Sequence, residues 1–192
     1  GIAGSGPGIY ALSVIGTNLY AGGLFETAGQ TNASNIARWD GVEWTPVDGS
    51  LNGCIYAFAR DDDVLYAGGL FNLADTAGAT NVAAWSAAVG WTNLYSGVND
   101  NDAIYEGYVI ALAICGGRLY AGGFFDRAGD VQANHIAAWD GAAWTNLAEG
   151  IDLANPDPET HYLPSVNALA TDGTNLFAGG LFTSAGATPA NN

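Results

Sequence analysis

The sequence contains no lysine and no methionine, and its 192 residues include only two histidines, two cysteines and four arginines. With so few imidazole and thiol groups, we do not expect a multi-histidine zinc or copper site built from this chain alone. The 19 acidic residues give a formal net charge of −15, which repels phosphate backbones and anionic headgroups. Nucleic acids and membrane surfaces are therefore unexpected partners, whereas cations such as calcium are natural counter-ions.

Long apolar runs and common catalytic motifs are missing as well. No stretch approaches the roughly 18 uninterrupted apolar residues of a membrane span. The G-x-S-x-G motif is absent, and the GSGPG stretch at 4–8 is not followed by a helical pattern, which argues against a phosphate-binding loop. The chain is 49% hydrophobic and contains 28 glycines, so it is too apolar for disorder and too rich in glycine for a helical bundle.

What the sequence does contain is a repeat. The residues LYAGGLF at 19–25 return almost unchanged at 65–71, 119–125 and 176–182. An alanine stands eight residues before each copy, and two tryptophans follow each of the first three copies. These columns are Ala11, Ala57, Ala111 and Ala168, then Trp39 and Trp44, Trp85 and Trp91, and Trp139 and Trp144. Repetition of this kind indicates a protein built from serial structural units.

Each unit is predicted to consist of four short strands. In the first unit the apolar runs are 9–14, 18–25, 35–39 and 42–47, with turn residues and the loop 26–34 between them. Asp-Gly pairs at 40–41 and 140–141 suit tight hairpins, since glycine readily takes a positive φ. No stretch has sustained helical periodicity. We therefore predict an all-β fold, a β-propeller of four-stranded antiparallel blades with about 3.5 blades in this chain.

The repeat does not divide the chain into whole blades. One propeller segment is expected over 1–192, incomplete at both ends, with blades at about 9–48, 54–97 and 108–149 and a half blade at 165–192. The opening GIAGSG aligns with EGID at 149–152, which we assign to the end of a fourth strand. An open sheet edge favours aggregation, so we expect further blades or other chains to supply strands at both ends.

The glycine pairs within the repeat need a physical reason, because glycine weakens a strand. We predict that Gly22-Gly23, Gly68-Gly69, Gly122-Gly123 and Gly179-Gly180 leave room for a tryptophan or for a neighbouring backbone. The alanine column is expected on the innermost strand, where units converge and only small side chains pack.

These motifs resemble known repeats. Hydrophobic residues before a Gly-Gly pair, followed by a tryptophan, are similar to the kelch repeat of galactose-oxidase-like propellers. The fuller pattern resembles kelch-related repeats of secreted or surface-anchored bacterial proteins and the Rax2-like repeats of fungal cell-surface proteins. The second unit departs from this pattern with WSAAVGW at 85–91, so the resemblance does not predict the conformation of its third turn. The resemblance implies an extracellular or cell-surface propeller, usually without known catalysis.

Candidate ligand groups lie in the lengthened connections 97–107 and 149–164, which the propeller prediction places on one face. Asn99, Asp100 and Asp102 alternate oxygen-bearing side chains and are candidates for calcium, although the glycine and glutamate of an EF-hand loop are missing. The other ligand-face candidates are Tyr105, Glu106, Asp157, Glu159, His161 and Tyr162. Acids beside aromatic rings suit a hard cation or a sugar, and solvated loops without a ligand are the alternative.

The cysteines and the remaining histidine have structural interpretations. Cys54 and Cys115 are expected at opposite ends of neighbouring inner strands, on the order of 20 Å apart at about 3.3 Å per residue. This separation exceeds the reach of a disulfide, so two free, buried thiols are expected. His135, in the column before Ile136, is expected to cap a turn.

Three functions follow as hypotheses. The first is a non-enzymatic extracellular or cell-surface module with a structural or adhesive role, whose partners are other protein chains or further blades of the same protein. It requires no cofactor, with calcium the one candidate ion. The second is a glycan-binding, lectin-like propeller, with or without the help of calcium. The third is part of a galactose-oxidase-like enzyme whose catalytic residues lie outside this segment.

Overall fold

The computed structural model describes residues 1–49, 51–72, 80–100, 106–153 and 163–190. These ranges are all-β, and they contain no helix of the length and apolarity that crossing a membrane would take. In chain order the strands are β1 (Ile2–Ala3), β2 (Gly8–Ile15), β3 (Asn18–Leu24), β4 (Thr27–Ala28), β5 (Thr31–Asn32), β6 (Ile36–Trp39), β7 (Trp44–Pro46), β8 (Cys54–Asp61), β9 (Val64–Asn72), β10 (Thr80–Ser86), β11 (Gly90–Asn93), β12 (Val98–Asn99), β13 (Tyr108–Cys115), β14 (Arg118–Phe124), β15 (Arg127–Ala128), β16 (Val131–Gln132), β17 (Ile136–Trp139), β18 (Trp144–Asn146), β19 (Ile151–Asp152), β20 (Ser165–Thr171), β21 (Leu176–Leu181), β22 (Ser184–Ala185) and β23 (Thr188–Pro189).

The repeat units form antiparallel sheets. Sheet I has the order β2-β3-β6-β7, sheet II β8-β9-β10-β11 and sheet III β13-β14-β17-β18, and sheet IV pairs β20 with β21. The four-stranded antiparallel units predicted from the sequence are therefore confirmed. Sheet II keeps the pairing despite its different turn, because Trp85 pairs with Trp91 as Trp39 pairs with Trp44.

Three small sheets accompany the main ones, and they correct the sequence prediction. The loop 26–34 contains a hairpin of β4 and β5, closed by Gly29 at a φ of 64°. Strand β1 pairs with β4, and β19 pairs with β22 in the same way. The assignment of GIAGSG and EGID to the end of a fourth strand is therefore wrong. A two-strand hairpin this short leaves backbone groups unpaired, and the segment before each unit satisfies them.

The main sheets lie side by side in chain order. The first strands β2, β8, β13 and β20 are neighbours, and the second strand of each sheet packs on the first strand of the next. The four alanines of the repeat column line one shared cavity of about 290 Å³ between these first strands. The predicted position of the alanines on the first strand of each unit is confirmed. Most of the core lies between adjacent sheets, in one cluster for each of the three junctions. A smaller cluster within the first unit contains Phe25, Ala28, Ala33 and Ala37.

The second glycine of each pair faces a backbone carbonyl of its own sheet. A side chain on Gly23 would overlap the carbonyl oxygen of Gly8. Gly69, Gly123 and Gly180 have the same relation to the preceding strand, where the register shifts at a bulge. The predicted close approach of a backbone is therefore confirmed at this position.

The first glycine of the pair faces the next sheet instead. An ideal Cβ on Gly22 would lie 2.8 Å from Cγ2 of Ile55 and 2.5 Å from Cζ of Phe58. Gly68 and Gly122 face the first strand of the following sheet in the same manner. The expectation that a tryptophan fills this space is wrong, because side chains from that first strand occupy it.

Candidate binding groove

A buried asparagine fixes the connection between sheets II and III. Asn81 has a left-handed backbone with a φ of 63°, and its Oδ1 accepts a hydrogen bond from the Phe71 N–H at 3.0 Å. Its Nδ2 donates to the carbonyl oxygens of Val98 at 3.0 Å and Gly107 at 2.6 Å. Both ends of the lengthened 97–107 connection are thereby held to sheet II.

Asn35 makes a similar link in the first unit. Its Oδ1 accepts from the Phe25 N–H at 3.2 Å, and its Nδ2 donates to the Leu51 carbonyl at 2.9 Å. This role was not predicted from the sequence. Its signal is an asparagine ten residues after the motif phenylalanine, at positive φ, in two of the units.

His135 takes the same place in the third unit without the same bonds. Its backbone has a φ of 65° and lies at a bend, and its N–H donates to the Phe125 carbonyl at 2.8 Å. A cap made by the side chain stays a prediction. The ring is stacked on Phe124, and its buried Nδ1 has no hydrogen-bond partner within the described part of the chain. Burial lowers the pKa of His135 from 6.5 to about 4, although the carboxylates of Asp152 and Asp126 oppose this shift. The ring is therefore neutral at neutral pH.

A groove of about 770 Å³ opens beside the Asn81 link. Its walls combine apolar side chains of the β3 and β9 ends with amide and carboxylate groups of the connections. The lining residues are Leu24, Asn52, Gly53, Cys54, Leu70, Phe71, Asn72, Thr80, Asn81, Asn99, Asp100, Glu106 and Gly107. This arrangement offers hydrogen-bond donors and acceptors beside apolar side chains.

Three of the predicted site residues meet in this groove. Asn99, Asp100 and Glu106 all line it. The sequence indicated only that these three residues belong to the same connection. The other candidates, Asp102, Tyr105, Asp157, Glu159, His161 and Tyr162, lie outside the described residues. Among the residues that the structure does describe, no group of three or more His, Cys, Asp or Glu side chains is arranged to hold a metal ion. Calcium therefore stays a prediction.

The groove also contains a thiol. Cys54 is half-buried and free, and burial raises the pKa of its thiol, so the protonated form dominates at neutral pH. Cys115 is free and buried. The prediction of two unpaired thiols is confirmed, with Cys54 more accessible than expected. The nearby Asn52 Oδ1 accepts from the Asn72 N–H at 2.7 Å, which ties the two amide-bearing segments of the groove together.

Comparison with known proteins gives similarity of fold. No protein-family model and no curated protein matches the sequence. The crystal structure of the computationally designed Ika8 protein matches with a TM-score of 0.51 and 18% identity over 90% of this chain. The chain spans 42% of the length of Ika8. The computationally designed Ika4 protein matches with a TM-score of 0.52 and 16% identity, over 94% of this chain and 89% of Ika4.

Proposed function

We propose that the chain is a non-enzymatic structural and adhesive module, a β-propeller segment with kelch-like repeats that works outside the cell or on its surface. The observation that carries this proposal is one contact repeated three times. The first glycine of a unit receives an Ile or Val side chain from the first strand of the next unit. Units joined in this way form a series in which each stabilises its neighbour.

The shared cavity supports the propeller part of the proposal. In a propeller the first strands of the blades surround a central axis. The alanine column lines one cavity between four neighbouring first strands. Further blades, from the same protein or from other chains, would continue this arrangement.

The net charge is consistent with an extracellular or cell-surface location, where the protein must stay soluble and does not bind nucleic acid or membranes. A net charge of −15 with no lysine keeps an apolar repeat protein dispersed and repels anionic surfaces. The resemblance to repeats of secreted and surface proteins favours the same location.

A second candidate function is glycan binding in the groove beside Asn81. The observation that favours it is the combination of amides, carboxylates and apolar side chains in one groove of about 770 Å³. Sugars take hydrogen bonds from such groups while their apolar faces pack on side chains. Calcium bound by Asp100 and its neighbours would assist such a site.

A glycan array with calcium or with a chelator separates the two candidates. The structural module is expected to give no saturable glycan binding under either condition. Binding that is saturable in the unmodified chain, lost in an Asn99→Ala, Glu106→Ala double variant, and kept in Val42→Ser would overturn it in favour of the lectin. Val42 is a suitable control because it is 83% exposed and lies in a turn of sheet I, outside the groove-lining set.

A further inference from the structure

Sheets I and IV are the first and last of the series. Each exposes a surface that corresponds to one side of the contact between neighbouring sheets. Ile55, Val109 and Val166 are fully buried where they pack against the preceding sheet. Their counterpart in sheet I is Ile9, which is 45% exposed. Leu12 is 61% exposed, whereas its counterpart Leu112 in sheet III is buried. Ile9 and Leu12 therefore form an exposed apolar projection on sheet I, in the position where the other sheets pack against the sheet before them.

Sheet IV presents the matching recess. Among the residues that the structure describes, nothing lies within 4 Å of a Cβ on Gly179, whereas the space beside Gly22, Gly68 and Gly122 is filled by side chains of the next sheet. Phe177, two residues before Gly179 and therefore on the same face of the strand, is 56% exposed. Its counterpart Tyr20 is 3% exposed, because its ring packs against Trp85 of sheet II with centroids 5.4 Å apart.

We propose that a second copy of this chain docks head to tail, with its sheet I on sheet IV of the first. Ile9 and Leu12 of one copy cover Gly179 of the other, and Trp39 lies against Phe177 as Trp85 lies against Tyr20. This inference rests on the proposed function, since it extends the same serial contact to a fourth junction. The second copy fits because its sheet I carries a face of the same kind: Ile9 stands where Ile55, Val109 and Val166 fill the recess, and Leu12 stands where Phe58, Leu112 and Leu169 do.

The form of this association follows from its geometry. Projection and recess are different surfaces, so the contact is heterologous, and each copy retains one free half after the first docking. Such a contact closes into a ring or continues as an open chain of copies. Because each copy carries a charge of −15, added salt screens their repulsion and should strengthen the association.

The test is sedimentation velocity of the whole chain over a range of protein and salt concentrations. Leu12→Asp removes the projection, Gly179→Leu fills the recess, and Val42→Asp is a control at an exposed apolar residue of sheet I away from the contact. We expect the unmodified chain and the control to associate, and the two variants to have a Kd raised on the order of a hundredfold. Because the changed positions are exposed or open in one copy, thermal unfolding at low concentration should be unchanged.

Mixing the two variants is the decisive step. Leu12→Asp keeps its recess and Gly179→Leu keeps its projection, so the mixture should form a one-to-one dimer and nothing larger. A chain that stays monomeric at all concentrations, association that both variants leave intact, or a mixture that does not pair would each overturn the inference. If the chain stays monomeric while filling the internal recess at Gly122 still destabilises it, the serial module stands and only the docking is refuted.

Discussion

The side chain of Val109 lies in the space where a side chain on Gly68 would begin. An ideal Cβ on Gly68 would lie 2.5 Å from Cγ1 of Val109 and 3.1 Å from its Cβ. Glycine is therefore a packing requirement at this position, and adjacent sheets approach closely because one of them carries no side chain there. The same relation holds between Gly122 and Val166. Gly179 has the same place in its unit, and no described residue lies opposite it, so the chain contains its own control.

Replacing Gly68 by alanine should destabilise the fold. The new methyl group meets a fully buried side chain on the neighbouring sheet, so the free energy of unfolding should fall by about 1–3 kcal/mol. Gly179→Ala should change it by no more than about 0.5 kcal/mol, because the space is open. Denaturant unfolding at low protein concentration measures both. Equal losses in the two variants would contradict the proposed packing role.

Removing the Asn81 side chain should loosen the junction between sheets II and III. Asn81→Gly keeps the left-handed backbone but leaves the Phe71 N–H and two carbonyl groups without this partner. A loss of about 2–4 kcal/mol in the free energy of unfolding is expected. Asn134→Ala is the matched control, because its amide makes one exposed hydrogen bond to the Glu149 carbonyl. A loss no larger than that of the control would refute the linking role.

The sheet pattern was predictable because its signals are local. Short apolar runs, turn residues and columns repeated in register specify antiparallel strands, and the strands of sheet I begin and end within about two residues of the predicted runs. The hairpins at β4 and β5 were not predicted. Strands of two residues leave no periodicity, and β4 is completed by β1, more than twenty residues earlier in the chain.

The site was predictable only in outline. Oxygen-bearing residues in a lengthened connection pointed to Asn99, Asp100 and Glu106, which line one groove. The other wall of that groove includes Asn52, which lies just before β8, and Cys54, which is the first residue of β8. Such a pairing of distant segments depends on how sheets stack, and the spacing of residues within one connection does not encode it. The asparagine links were missed for the same reason, since their acceptors lie 16 to 26 residues downstream.

The two thiols should react at different rates in the folded chain. Cys54 is half-buried and lines the open groove, whereas Cys115 is buried. Burial raises the pKa of Cys54, so its reaction with a thiol reagent should be slow but measurable at neutral pH and faster as the pH rises. One thiol should be titrated under native conditions and two after denaturation. A Cys54→Ser variant with undiminished native labelling would contradict the assignment.

His135 should make the stability of the chain depend on pH in the mildly acidic range. Its pKa is lowered from 6.5 to about 4 in the folded chain by burial. Between these values the unfolded chain binds a proton that the folded chain does not, so the free energy of unfolding should fall as the pH drops from about 6.5 to 4. The loss through this residue should reach about 2–3 kcal/mol.

His135→Asn isolates this effect, because asparagine does not titrate and occupies the same column in the first two units. By analogy with Asn35, the new amide should bond the Phe125 N–H and the carbonyl of Ile151, making the variant more stable at neutral pH. The advantage of the variant should be constant above about pH 7 and should grow as the pH falls, because only the parent chain must keep a histidine neutral. Chemical unfolding of both chains at several pH values measures the difference. An advantage that does not vary with pH would show that His135 is not held neutral by its burial.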